Sequence, residues 1–452
     1  MLKKFFTKIS NQPLWFFLLL SLIAAWRFFI GLDTNFYQCD EYSYLRKSSF
    51  AQLYFTGQFS HPNWQSGDAY DQTKLMEYIY ALPSYLLYQQ DFISLAQQES
   101  DLYQHSYINY SDWAKSYGQP ANQLDITPKL TNVLILARFI STTFTLSYVL
   151  LASLIIFWLT KRSYLITSFA FLFLLTHPII TIHGRQALAD SALNFFLTLG
   201  LINLLFIWQA FFFKKLNLRR LKRLVFLSGL IAGLAASLKI NGFIHLIISQ
   251  FIFFFAAIIY LKTLKSKKKL KTFFRLSLIF LSSFILSLIV FVLLHPTTWP
   301  HPLKSFQKFI TWRWWLTGYY QGYFPEDAIT SLSQKLQFIF LRPAGYMTGV
   351  GSLGFHYQQL FGDPNQYFYL IPNLIFFLSG LYYLFTTIRL KKTSTLHLPV
   401  LLWSLSTIII TASYLKLDWT RYYWPLFLPF LIINSYGLKF LFSLIKKLRL
   451  QP

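Results

Sequence analysis

The stretch that decides the fold is Leu14–Leu45, LWFFLLLSLIAAWRFFIGLDTNFYQCDEYSYL. Its first part, 14–32, is apolar over about the length that crosses a bilayer. A short basic tail, Lys3, Lys4 and Lys8, precedes it, and no small-residue cleavage site follows. The run therefore reads as a retained transmembrane helix starting after Pro13, not as a cleaved signal peptide. A few residues beyond it stand Asp40 and Glu41. Carboxylates do not enter hydrocarbon cheaply, but they can stand at its surface. Taken alone, the pair reads as the wet end of a helix. The rest of the chain gives it a second reading, as the working part of a membrane-surface site.

The 452 residues are 55% hydrophobic and 20% aromatic, with only 13% charged. An ordinary soluble domain carries about 25% charged residues. Long apolar runs recur, so the fold class is an all-α polytopic membrane protein, and an outer-membrane barrel with short alternating segments is excluded. A net charge of +25 would suggest nucleic acid on a soluble protein. Here the basic residues lie in short loops between apolar runs, as the positive-inside rule requires, and no nucleic-acid partner is expected. Cys39 is the single cysteine, which rules out an intramolecular disulfide and a cysteine-cluster metal site.

Ten spans are expected, at about 14–32, 132–160, 163–182, 190–213, 224–239, 242–261, 273–294, 369–388, 396–415 and 422–444. Basic clusters follow every even-numbered span, from Lys161 and Arg162 to Lys446, Lys447 and Arg449. Both termini are thus expected on the cytoplasmic side, as a single transmembrane domain over 1–452. The carboxylates sort the other way. All but five of the sixteen fall between residues 33 and 129, and those five, Asp190, Glu326, Asp327, Asp363 and Asp418, lie at or beyond odd-numbered exits. Two long external loops, 33–131 and 295–368, are the expected carriers of function. Each holds a candidate interfacial helix. One is Leu75–Tyr88, anchored by Tyr78, Tyr80, Tyr85 and Tyr88; the other is Phe306–Tyr320, with Trp312, Trp314 and Trp315. Either also reads as a plain aromatic belt. The Lys-rich stretch 262–271 reads as a cytoplasmic anchor on anionic membrane lipids.

Few other charges stand at external span ends. His177, His183, Arg185 and Asp190 surround the third exit, Lys239 the fifth, His295 and His301 the seventh, and Lys416, Asp418 and Arg421 the ninth. Each has a structural alternative. Arg185 and Asp190 can interact across a helix start, Lys239 can snorkel to head groups, and Asp418 and Arg421 can form a rim salt bridge. The histidines lack a tight ligand spacing. No cofactor is assigned, and a divalent metal is not supported by ligand spacing. What the alternatives leave unexplained is the coincidence of an acidic first exit with cationic third, fifth and ninth exits. That pattern suits one chemistry. A carboxylate acts as general base on a hydroxyl, the hydroxyl attacks a sugar anomeric carbon, and cations stabilise a departing lipid phosphate.

These segments resemble the GT-C glycosyltransferases related to protein O-mannosyltransferases and aminoarabinose lipid A transferases. CDEYSYL at 39–45 looks like the family's Asp-Glu motif, and YDQTKLMEYIYAL at 70–82 like its first-loop segment. LARFISTTFTLSYVLL at 136–151 is similar to the Arg-containing second span. HGRQALADSALNFFLTLGL at 183–201 is similar to the Arg…Asp segment, SGLIAGLAASLKINGF at 228–243 to the Gly-rich span ending in lysine, and RYYWPLFLPFLIINSYGL at 421–438 to a late span with two prolines. The ordered set covers most of the chain and is specific for the superfamily, not for a substrate. The resemblance implies a polyprenyl-phosphate-linked sugar donor, an inverting transfer to a hydroxyl acceptor of unidentified class, and Asp40 as catalytic carboxylate beside Glu41. It places Arg185, Asp190 and Lys239 near the donor phosphate. Arg421 is a further candidate for substrate binding, and Asp71, Lys74 and His183 are candidate loop contacts. Asp-Gln-Thr at 71–73 departs from the family's proline-bearing forms, and neither a β-trefoil in the second loop nor a soluble C-terminal domain is expected. The expected location is a bacterial plasma membrane, with the site on the external face. A flippase or transporter is the competing class, but it predicts mid-span charges and repeated halves, and no repeat is evident.

Overall fold

A computed structural model describes residues 11–35, 39–47, 49–71, 73–88, 128–212, 217–346, 366–391 and 396–449. The remainder of the first long loop, 89–127, and 347–365 of the second lie outside the described residues, as do the side chains of Tyr85 and Tyr88. The chain is helical throughout what is described. The chain opens with the apolar helix α1 (Asn11–Phe29), and the first long loop then holds α2 (Cys39–Arg46), α3 (Ser49–Phe55), α4 (Gly67–Asp71) and α5 (Leu75–Tyr88). The central spans are α6 (Pro128–Leu159), α7 (Tyr164–Thr176), the short α8 (Pro178–His183), α9 (Ala189–Phe212), α10 (Leu218–Leu238), α11 (Phe243–Lys262) and α12 (Ser266–Leu293). The second long loop supplies α13 (Pro302–Tyr323) and α14 (Leu332–Ala344), and α15 (Gln366–Lys391), α16 (His397–Tyr414) and α17 (Phe427–Arg449) complete the bundle. Among the described residues the one isolated β-bridge joins Ala328 to Leu417.

Among the described residues, eight helices are long and apolar enough to cross a membrane: α6, α9, α10, α11, α12, α15, α16 and the helix reaching Leu448 through α17. The expected first and third spans are shorter apolar helices, Pro13–Phe29 and Tyr164–Thr176. For the third the cause is local. Pro178 has no N–H to continue the ladder and ends α7. His177 then caps α8, its Nδ1 accepting from the Ile179 N–H at 3.3 Å while Nε2 donates to the Arg342 carbonyl at 3.1 Å. The 13 residues of α7 rise about 20 Å, short of a hydrocarbon core of about 30 Å.

Spans pack through small residues, because in lipid the contact itself, not the hydrophobic effect, holds helices together. A Cβ on Gly380 of α15 would lie 1.9 Å from the Ile433 carbonyl oxygen, and one on Gly437 of α17 would lie 2.0 Å from that of Phe376. The two backbones therefore touch where no other residue fits.

Leu75–Tyr88 is a helix with the expected bounds, but it is not anchored as expected. Tyr78 and Tyr80 are buried in the protein. The Tyr78 hydroxyl donates to the Leu294 carbonyl at 3.0 Å, and Tyr80 bonds Ser141 and the Leu188 carbonyl. These rings glue α5 to α6, to the loop before α9 and to the end of α12 instead of floating at the interface. On α13, Trp314, Trp315, Tyr319 and Tyr323 are exposed.

Candidate active site

The loop helices α2, α4 and α13 and the ends of α10 and α16 line a cavity of about 300 Å³, a size that suits a small ligand. Its walls carry Asp40 of α2, Asp71 of α4, Lys239 at the end of α10, Arg313 and Trp314 of α13, and Lys416 and Arg421 beyond α16. Leu238, Ile240, Ile244, Phe309 and Ile310 make its apolar side. Two carboxylates thus face four cations, a lining that favours an anionic ligand.

Asp40 and Glu41 are adjacent in sequence and opposite in circumstance. Asp40 lines the cavity and pairs with Arg421; their side chains are 23% and 14% exposed. Glu41 points into the protein, fully buried, where Arg138 grips it as a fork at 2.8 and 2.7 Å. The Ala187 N–H donates to its Oε1 at 2.7 Å. Arg138 also donates to the carbonyls of Leu32 and Asn35 at 2.6 and 3.0 Å. One buried guanidinium therefore fixes the turn after α1, the start of α2 and, through Glu41, the loop before α9. A buried charge is tolerated only when its hydrogen bonds are met in this way. Glu41 positions Asp40; it does not line the cavity.

Lys239 does not snorkel. Its ammonium bonds Asp190 Oδ1 at 2.7 Å, and Asp190 stands behind the cavity wall. Lys239 is placed by the 3₁₀ turn Ile240–Gly242, folded back onto α10. A Cβ on Gly242 would meet the Ala235 carbonyl oxygen at 2.1 Å, so only glycine permits that turn. Arg185 lies outside the cavity lining. It donates to the carbonyls of Ile30 and Gly31, closing α1, and burial followed by Arg27 and Arg138 pushes its pKa down to about 10. Arg185 and Asp190 thus have separate partners.

Of the expected loop contacts, Asp71 lines the cavity, paired with Lys47 and, at 3.8 Å, with Arg313. Burial works to raise its pKa, but Lys47 and then Arg313 hold the carboxyl well below the usual range. Lys74 lies behind, fully buried against Glu77 at 3.1 Å, and its N–H donates to His295 Nε2 at 3.1 Å. Burial lowers the His295 pKa to about 3, which leaves that nitrogen free to accept. His183 also lies behind the wall, bonded to Gln186 at 2.6 Å and Thr420 at 2.7 Å. Burial holds its imidazole below the usual range, against the Gln186 hydrogen bond. It ties the α8–α9 loop to the residue before Arg421.

The alternative of a rim bridge between Asp418 and Arg421 is not realised. Asp418 is buried in a fork with Arg342 at 3.1 and 2.5 Å and accepts from Tyr423 at 2.6 Å, which leaves Arg421 to Asp40. Among the described residues, no three His, Cys, Asp or Glu side chains converge as a metal cage, and both cavity carboxylates are already met by cations. Sequence reading missed Arg313, which lies within the aromatic run TWRWWLTGYY, and Arg342, which nothing local marks.

A model of the family described as dolichyl-phosphate-mannose-protein mannosyltransferase matches residues 113–303. No curated protein sequence matches the chain. Among solved structures, the chain is similar to ArnT from Cupriavidus metallidurans bound to undecaprenyl phosphate, with TM-score 0.50 and 12% identity over 93% of this chain and 60% of that one. It is similar to the apo state of the same protein, with TM-score 0.51 and 12% identity over 97% and 62%. It is also similar to the apo oligosaccharyltransferase of Archaeoglobus fulgidus, with TM-score 0.51 and 11% identity over 96% and 51%. The chain thus spans about three fifths of the ArnT structures and half of the oligosaccharyltransferase. It is a polytopic helical membrane protein with the GT-C fold, as the sequence resemblance implied. At the sequence level the match is to the mannosyltransferase family model, over a window that holds Asp190 and Lys239 but ends before Arg313.

Proposed function

We propose that this chain is a membrane glycosyltransferase that moves a sugar from a polyprenyl-phosphate carrier to an acceptor hydroxyl on the external face, with inversion at the anomeric carbon. The observation that carries this reading is the joint presence of Asp40 and four cations on one cavity that also has an apolar wall. ArnT of the same fold was solved with undecaprenyl phosphate, which supports a lipid-phosphate ligand. Asp40 takes the proton of the acceptor hydroxyl while its oxygen bonds to the anomeric carbon. The bond from that carbon to the phosphate oxygen breaks, and the electron pair leaves with the phosphate, whose growing charge the cations meet. In the resting pair Arg421 occupies Asp40; a bound phosphate competes for Arg421 and frees the carboxylate.

A flippase has no use for a general base, so Asp40→Asn separates the two classes. The purified protein is supplied with a set of polyprenyl-phosphate sugars and a cell-derived acceptor pool, and release of lipid phosphate is followed. The expected loss is about 10²–10⁴-fold, the usual effect of removing a general base. Full transfer by the Asn variant would reject the assignment.

A further inference from the structure

Of the four lining cations, three already face a carboxylate: Lys239 with Asp190, Arg421 with Asp40, and Arg313 with Asp71. Lys416 stands differently. Its ammonium lies 4.1 Å from the centre of the Trp314 ring, and no ion pair to a carboxylate is found for it among the described residues. An aromatic face orients an ammonium without neutralising it, so Lys416 brings its whole charge to the cavity.

Its backbone is fixed to suit. The Lys416 carbonyl accepts from the Ile329 N–H at 3.0 Å and from Gln321 Nε2 at 3.1 Å. Leu415 and Leu417 on either side are fully buried. In extended chain, alternate residues face opposite ways, so two leucines turned inward leave Lys416 turned to the cavity. Asp418, held in the Arg342 fork, stops the segment from sliding.

We propose that Lys416, seated on Trp314, is the residue that receives the phosphate of a polyprenyl phosphate in this cavity. The inference rests on the glycosyltransferase reading above and assigns one of its binding groups. A sugar-phosphate diester carries one negative charge and the lipid monoester left after transfer carries more, so the group that receives it needs charge not already spent on a neighbour. Lys239 and Arg421 then act by exchanging partners, while Lys416 acts at once.

The test is isothermal titration calorimetry of the full chain in detergent with farnesyl phosphate as a short carrier. Farnesol and inorganic phosphate serve as separate arms. The wild type is expected to bind farnesyl phosphate more tightly than either. Lys416→Met should weaken it about tenfold to a hundredfold, as for loss of one charge-assisted hydrogen bond, with an unchanged melting temperature. Lys416→Arg, which keeps a cation on an aromatic face, should bind more tightly than Lys416→Met. Should the methionine variant fail to fold, Lys416→Gln is read in its place. Wild-type affinity in the neutral variant, with the wild type binding normally, overturns this inference and leaves the glycosyltransferase reading standing. No binding by the wild type overturns both. Inorganic phosphate binding as tightly as farnesyl phosphate overturns the lipid assignment alone.

Discussion

Replacing Glu41 by Gln tests whether the two adjacent carboxylates do different work. Glu41 is fully buried and gripped by Arg138 at 2.8 and 2.7 Å. A Gln side chain can still accept from the Ala187 N–H, but it leaves the Arg138 guanidinium buried without a counter-charge. Removing one partner of such a pair costs about 3–5 kcal/mol, most of it the stranded charge. Asp40 and Arg421 are both partly exposed, and a pair in that setting contributes about 0–1 kcal/mol. Glu41→Gln should therefore destabilise the protein several-fold more, in free energy, than Asp40→Asn does. Arg138→Met alone should be as damaging as Glu41→Gln, since it strands the carboxylate. The double variant should recover part of the loss, with a coupling of about 1–3 kcal/mol. Unfolding of the purified protein in detergent, followed by tryptophan fluorescence against denaturant, gives all four corners of the cycle. Additive single effects, or a Glu41→Gln protein as stable as Asp40→Asn, would refute the claim that Glu41 is a buried anchor.

Asp418→Asn keeps the side-chain shape but forfeits the charge that Arg342 needs, so it should lower the melting temperature. Because the same segment presents Lys416 and Arg421, it should also raise KM for the lipid donor more than it lowers kcat; unaltered donor KM would count against the positioning role. Asp71 carries a folded-state pKa depressed below 3.8 by Lys47 and Arg313. Its stabilisation is therefore fully present above that ordinary value and fades as pH falls below it. The melting difference between wild type and Asp71→Asn, measured from pH 6 to pH 3, should shrink toward the acid end; a difference constant over that range would contradict the pairing.

The spans were legible because a bilayer admits few backbones: a run of apolar residues with polar flanks has to be a helix there. Asp40 was legible for a related reason, as the first carboxylate pair after a span. Their partners were not. Asp418 and Arg421 are neighbours in sequence, which left a rim bridge open as an alternative, yet Asp418 reaches Arg342, 76 residues away, and Arg421 reaches the other end of the chain. Arg185 and Asp190 share a segment but face different elements, one closing α1 and the other backing Lys239. Such pairings belong to the folding of the two long loops over the bundle, which no periodicity encodes. The break in the third span differs. Pro178 was visible in the sequence, and the rule that proline ends a helix would have shortened that span.

The two ends of the chain solve one problem in the same way. At the first exit, Glu41 is locked in a buried fork with Arg138, and the residue before it, Asp40, is left to the cavity. At the ninth, Asp418 is locked in a buried fork with Arg342, and the residue three further on, Arg421, is left to the cavity. The forks cannot exchange partners without stranding a charge in the protein interior. The pair that meets between them is partly wet and weakly held, so an incoming anion can divide it. The exchangeable pair at the cavity thus sits between two anchors that do not move. The division follows from burial alone: the same ion-pair chemistry fixes the backbone where water is absent and stays exchangeable where the cavity opens.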